Sequence, residues 1–94
     1  MEFVWDEQKA KLNLAKHGVD FETAKGVFGD PNALIELDED DPSEERWRAI
    51  GLVEGSVLFV VFTERDENLI RIISARRANR HEQDRYYRQA FPQG

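Results

Sequence analysis

The amino-acid sequence predicts one α+β domain: an antiparallel β-meander sheet with two N-terminal helices on one face and a C-terminal helix. Three observations carry this reading. Four apolar, strand-like segments follow one another between residues 33 and 75, joined by turns short enough to favour antiparallel neighbours. Two helix-type patterns with acidic caps precede them, and a third pattern with a polar cap follows. Finally, 94 residues suit a single domain, residues 1–94, that buries well over half of its unfolded surface.

The elements follow in order. Phe3, Val4 and Trp5 form a short apolar start that reads as an edge strand. Asp6 caps a helix running to about His17, with Glu7 in its first turn, where the helix dipole favours an anion. Leu12, Ala15 and the stem of Lys9 make its expected inner stripe, and Gly18 stops it. Asp20 caps a second helix over 20–29, with Phe21, Ala24, Val27 and Phe28 on one side. Asp30-Pro31 ends that helix.

The expected strands are 33–37, 46–53, 56–63 and 69–75. An acidic loop, 38–45, separates the first two. In 46–53, Trp47, Ala49, Gly51 and Val53 alternate onto one face. The run SVLFVVFT at 56–63 is apolar on both faces, which marks a central strand covered on both sides. Glu54-Gly55 and 65–68 read as turns. Asn79 with Glu82 three residues on resembles a capping box and opens a final helix to about Phe91.

Composition narrows the function classes. The absence of cysteine excludes a disulfide scaffold, a thiolate metal site and a cysteine nucleophile. No apolar run approaches the ~20 residues needed to span a bilayer, so no membrane association is expected. The start, Met1 to Asp6, is too short and acidic for a signal peptide. The cytoplasm is therefore the expected location. Net charge is −6, unevenly spread. Residues 71–94 carry six arginines against Glu82 and Asp84, whereas residues 1–70 carry seven basic and seventeen acidic side chains. The acidic majority argues against diffuse nucleic-acid binding, and the basic end allows one local polyanion site.

Several motifs together resemble the BrnT toxin family. They are the opening FVWD, Lys9, Asn13, the run KHGVDFETAKGVFGDP, and EERW at 44–47. The strand Val60-Val61-Phe62-Thr63 with Arg65, then IRIISARRA at 70–78 with Glu82 and Tyr86, complete the set. The resemblance covers nearly the whole chain. It implies a RelE-like fold and a metal-independent ribonuclease that inhibits translation and uses no cofactor. It also implies a ribbon-helix-helix antitoxin of the BrnA type as partner. DNA would be reached only through that antitoxin, and a hetero-tetramer is compatible with such a pair.

Metal-independent RNA cleavage uses the ribose 2′-hydroxyl as nucleophile. It needs a base, an acid for the leaving 5′ oxygen, and cations for the charge growing on the phosphate. His17, between Lys16 and Gly18, carries an imidazole, the side-chain type suited to proton transfer; equally, Lys16 and His17 in a last helical turn simply offset the dipole. Arg76 at the end of the last strand, Arg65 after the central strand and Arg46 are the expected phosphate holders, because a guanidinium forks onto two oxygens. Arg48, Arg77 and Tyr86 are the expected substrate contacts; of Tyr86 and Tyr87, one is expected to pack on the sheet and the other to stack on a base. For each arginine alone, a surface salt bridge is the competing reading. Glu44 and Glu45 are further carboxylate candidates for the base. His81 in HEQDR is not a zinc motif, because Arg85 stands where a second histidine would. A second function class stays open: a non-catalytic RelE-like module that holds a DNA-binding partner and tunes autoregulation.

Overall fold

The computed structural model describes residues 1–40 and 43–92. Its elements are β1 (Glu2–Val4), α1 (Glu7–His17), α2 (Phe21–Ala24) running into a 3-10 turn (Lys25–Gly29), β2 (Leu34–Asp38), β3 (Arg46–Val53), β4 (Ser56–Asp66), β5 (Leu69–Arg77) and α3 (Arg80–Ala90). Together they make an α+β fold around one five-stranded sheet, ordered β1-β5-β4-β3-β2.

Successive strands from β2 to β5 pair antiparallel, as their connections require. The expectation of a wholly antiparallel sheet is corrected at one edge: β1 pairs parallel with β5. Turn length constrains only consecutive strands, and β1 meets β5 after the entire meander has been laid down. Trp5 leaves the strand and packs edge-on against Phe21 at 5.9 Å. β4 and β5 run further than expected, with register irregularities between Val61 and Phe62 and between Glu64 and Asp66. Arg65 therefore lies within β4, not in a turn. Of the expected acidic loop, Asp38 belongs to β2, and Asp41 and Pro42 lie outside the described residues.

The helix ends follow local chemistry. Asp6 accepts from the Lys9 N–H and Asp20 from the Thr23 N–H; Asn79 and Glu82 form a complete capping box. Gly18 closes α1 in the left-handed region at φ 71°. The second helix tightens after Ala24, where Gly26 lets the backbone approach β3: a Cβ there would stand 2.8 Å from Val53 Cγ1. On α1 the expected inner stripe is wrong. Leu12 is exposed, and Asn13 is the helix's buried residue.

The core has two parts, one on each side of β4. Leu58, Val60 and Phe62 pack with Val19, Phe21, Ala24, Val27, Ala49, Ile70, Ile72 and Ala75. Phe28 bridges Phe3 and Phe62, at 5.2 and 4.9 Å between ring centres. The alternate residues Val57 and Phe59 pack with Ile50, Leu34 and, from the α3 side, Ala78, Tyr86 and Ala90. Gly51 is the tightest point on β3. A Cβ there would lie 2.6 Å from Val27 Cγ2 and 3.2 Å from Ala33 Cβ. Gly51→Ala is therefore expected to destabilise the fold by about 1–3 kcal/mol through overpacking, read as a lowered urea midpoint with unchanged slope. A midpoint equal to wild type would show that β3 and the 3-10 turn can part freely.

Candidate functional site

The sheet face opposite the larger core carries the polar rows of this protein, and strand register determines which residues share them. The pairings Leu34–Ile50, Ile50–Phe59 and Phe59–Arg76 make a first row across four strands. Glu36, Arg48, Val61 and Ser74 make a second. Asp38 pairs with Arg46 and Thr63 with Arg71. One step beyond the Trp47–Phe62 pair, the same register sets Arg46 opposite Thr63, which closes a third row. Rows on one face are two residues apart, about 6.8 Å.

Helix α3 packs on the first row through Tyr86 and is tied to the first two by ion pairs. Arg76 lies over the Phe59 ring, 4.0 Å from its centre, and forks onto Glu82 at 2.8 and 2.9 Å. Glu36 receives two arginines: Arg85 from α3 at 2.6 and 3.1 Å, and Arg48 from β3 at 2.9 Å. Arg46 donates to Glu44 at 2.8 Å. The fork from Arg85, helped by Arg48, holds the Glu36 carboxyl below its ordinary range. Burial opposes the charge on Glu82, but Arg76 and the Asn79 N–H outweigh it and lower that carboxyl too. The partnered guanidiniums of Arg76 and Arg85 are pushed up in turn by Glu82 and Glu36.

These carboxylates have depressed folded-state pKa values. Their stabilising contribution is thus present above the unfolded value of 4.5 and is lost as pH falls through the folded values. The urea midpoint is expected to drop between pH 5 and pH 3, and to drop less in Glu36→Gln. An equally steep fall in that variant would remove Glu36 from the account.

The predicted residues divide. Arg46, Arg48 and Arg76 share this face. Arg65 is exposed further along β4, past Thr63 and Glu64, and joins no row. Arg77 pairs with Leu58 and lines a cavity of about 230 Å³ with Gly18, Thr23 and Glu54 on the opposite side of the sheet. Lys16 and His17 end α1, one turn beyond Asn13 at the β5 edge, and among the described residues no hydrogen bond or ion pair links them to an arginine. They do not join Arg76, because α1 runs along the strand edge rather than over the polar face. Tyr86 is corrected outright: it is 1% exposed, and its hydroxyl donates to Asp30. Burial and that bond push the Tyr86 pKa up to about 12. The exposed ring of the pair is Tyr87, stacked with Phe91.

Sequence reasoning did not assign site roles to Glu36, Glu82, Arg85, Arg71, Ser74 and Thr63. For Glu36, Arg71 and Ser74 the signal is the alternation of polar residues along β2 and β5, which becomes a site only once register aligns the strands; Thr63 on β4 and Glu82 and Arg85 on α3 join it only through the pairing and docking of those elements. Thr63 is buried, and its Oγ1 has no hydrogen-bond partner. Among the described residues no three His, Asp or Glu side chains are grouped to share a metal ion, and no helix is long and apolar enough to cross a membrane.

Residues 5–82 match the family model described as the ribonuclease toxin BrnT of a type II toxin–antitoxin system. The match spans all three rows and ends on Glu82, the partner of Arg76. The crystal structure of the Brucella abortus ribonuclease toxin BrnT is similar to this chain with a TM-score of 0.68 and 30% identity, over 85% of this chain and 99% of that one. No curated protein sequence matches.

Proposed function

This chain belongs to the BrnT family of ribonuclease toxins from type II toxin–antitoxin systems, and from that premise we propose that it cleaves RNA on the arginine-bearing sheet face beside α3. The observation that supports this placement is the convergence of Arg48 and Arg76 around α3, with Arg46 one row further along the same face. A ribonuclease without a metal must supply cations where charge grows on the phosphate, and two guanidiniums on one face, Arg76 already forked onto a carboxylate and Arg48 bonded through Nε, meet that need. In the reading, Arg48 and Arg76 exchange a carboxylate oxygen for a phosphate oxygen. The RNA 2′ oxygen bonds to phosphorus, the bond from phosphorus to the 5′ oxygen breaks, and the products are a 2′,3′-cyclic phosphate and a 5′-hydroxyl. One proton leaves the 2′-hydroxyl and one reaches the departing 5′ oxygen. The fold is read as RelE-like. The consequence in the cytoplasm is blocked translation, relieved by a ribbon-helix-helix antitoxin of the BrnA type that carries the DNA contact.

Purified protein is expected to cut single-stranded RNA in excess chelator and to leave cyclic phosphate ends. Loss of cleavage on chelation would end the metal-independent reading. His17 receives no phosphate contact in this scheme. If His17→Ala removes a limb of the pH–rate profile, proton transfer reaches the phosphate from the β5 edge. The binding-module reading is favoured by one observation: Arg48 and Arg76 are already paired with the protein's own carboxylates. It takes over if the folded chain binds its antitoxin yet cuts no RNA, with or without ribosomes.

A further inference from the structure

The third row of the polar face contains a group that the protein leaves unserved. Thr63 is 6% exposed, and its Oγ1 is the one buried side-chain atom without a hydrogen-bond partner among the described residues. Buried hydroxyls are nearly always satisfied, and an orphan marks a place that a ligand, ion or water completes. Phe62 and Ile72 pair with each other and lie in the larger core, so the next pair, Thr63 and Arg71, lies on the opposite face. Arg71 is half-buried and makes no hydrogen bond or ion pair among the described residues; the charge felt near it is that of Asp6. Arg46 stands on the other side of Thr63. An orphan hydroxyl on a row flanked by two arginines offers a phosphate oxygen one neutral donor and two charged ones.

The spacing fits a chain of phosphates. This row lies two residues along β4 from Val61 and, across the register irregularity, three along β5 from Ser74, in the row that holds Arg48. An extended single-stranded backbone can match such a step from one phosphate to the next.

We propose that Arg71, Arg46 and the Thr63 hydroxyl form a second phosphate subsite, one nucleotide from the scissile phosphate at Arg48 and Arg76. The substrate is then single-stranded RNA presenting at least two consecutive phosphates along the strand direction. This rests on the ribonuclease reading above.

The test uses an uncleavable 2′-O-methyl dinucleotide, with and without a terminal phosphate at either end, titrated by NMR. A phosphate at one of the two ends is expected to tighten binding roughly tenfold. Arg71→Gln is expected to remove that increment, and Thr63→Val a few-fold of it. Neither should alter binding of the dinucleotide that lacks the terminal phosphate. Arg71→Gln should also flatten the salt dependence on longer single strands by about 0.7 in log–log slope. Thr63→Val deletes an unpartnered hydroxyl, so its Tm should equal or exceed wild type. A lower Tm with the increment intact would mean that the hydroxyl serves the fold and not a ligand, and would overturn its role. If the dinucleotide binds and RNA is cut, yet neither terminal phosphate adds affinity, the subsite is wrong while the ribonuclease reading stands. If no oligonucleotide binds and no RNA is cut, both fail.

Discussion

Arg76→Ala is expected to lower RNA cleavage by roughly 100-fold or more, the usual effect of deleting one preorganised donor to a transition-state oxyanion. Arg76 is held over Phe59 and forked onto Glu82, so its geometry is fixed before substrate arrives. Arg76→Lys should restore only part of the rate, because an ammonium cannot fork onto two oxygens. The variant also strips Glu82 of its cation at the first turn of α3. Arg76 is about a third exposed, so screening limits the stability lost. The two effects separate in a double-mutant cycle. If activity fell because an unpaired Glu82 displaced α3, adding Glu82→Gln would recover it; if Arg76 holds phosphate, the double variant stays slow. Wild-type cleavage by folded Arg76→Ala would refute the site.

Asn13→Ala should cause the largest loss of stability. β1 covers the β5 edge only as far as Arg71. Beyond it, the Asn13 side chain takes the place of a neighbouring strand: its Nδ2 donates to the Ala75 carbonyl at 2.8 Å and its Oδ1 accepts from the Ala75 N–H at 3.1 Å. The same Nδ2 donates to the Val19 carbonyl at 2.9 Å. Alanine leaves one buried N–H and two carbonyls short of partners, at about 1–3 kcal/mol for a stranded group. A total near 3–4 kcal/mol is a large part of the ~5–15 kcal/mol that stabilises a domain. Urea unfolding measures it directly. A loss below 1 kcal/mol would show that water enters the edge and serves these groups.

How much of this was legible in the sequence depends on the range of the interaction. Caps at Asp6, Asp20 and Asn79 involve residues three apart, and the sequence shows them. Strand 46–53 was legible because Arg46 and Arg48 alternate with Trp47 and Ala49 in its first half, although Ile50 and Leu52 make its second half apolar on both faces. The inner side of α1 was misread because a hydrophobic stripe was sought, while the helix docks through a polar amide. The site was half legible. Arg46 and Arg48 share a face by alternation alone, but only register brings Glu36 to Arg48, and only the docking of α3 brings Arg85 to the same carboxylate. Between Tyr86 and Tyr87 the helix phase decides, and that phase is fixed by the Tyr86 bond to Asp30.

The parallel pairing of β1 with β5 has a consequence for synthesis. Glu2 lies opposite Leu69 and Val4 opposite Arg71. As the chain leaves the ribosome, the first strand has no partner until nearly the whole sequence has emerged. Such long-range closure is slow and comes late. Arg71, Ser74 and Arg76 all belong to β5, so each polar row lacks its last member in a nascent chain. The arginine-bearing face thus assembles only once β5 has emerged, so on the proposed reading an unfinished chain carries no complete cleavage site. Stalled nascent chains ending before Leu69 should be inert in a cleavage assay, whereas chains released after Ala90 should be active.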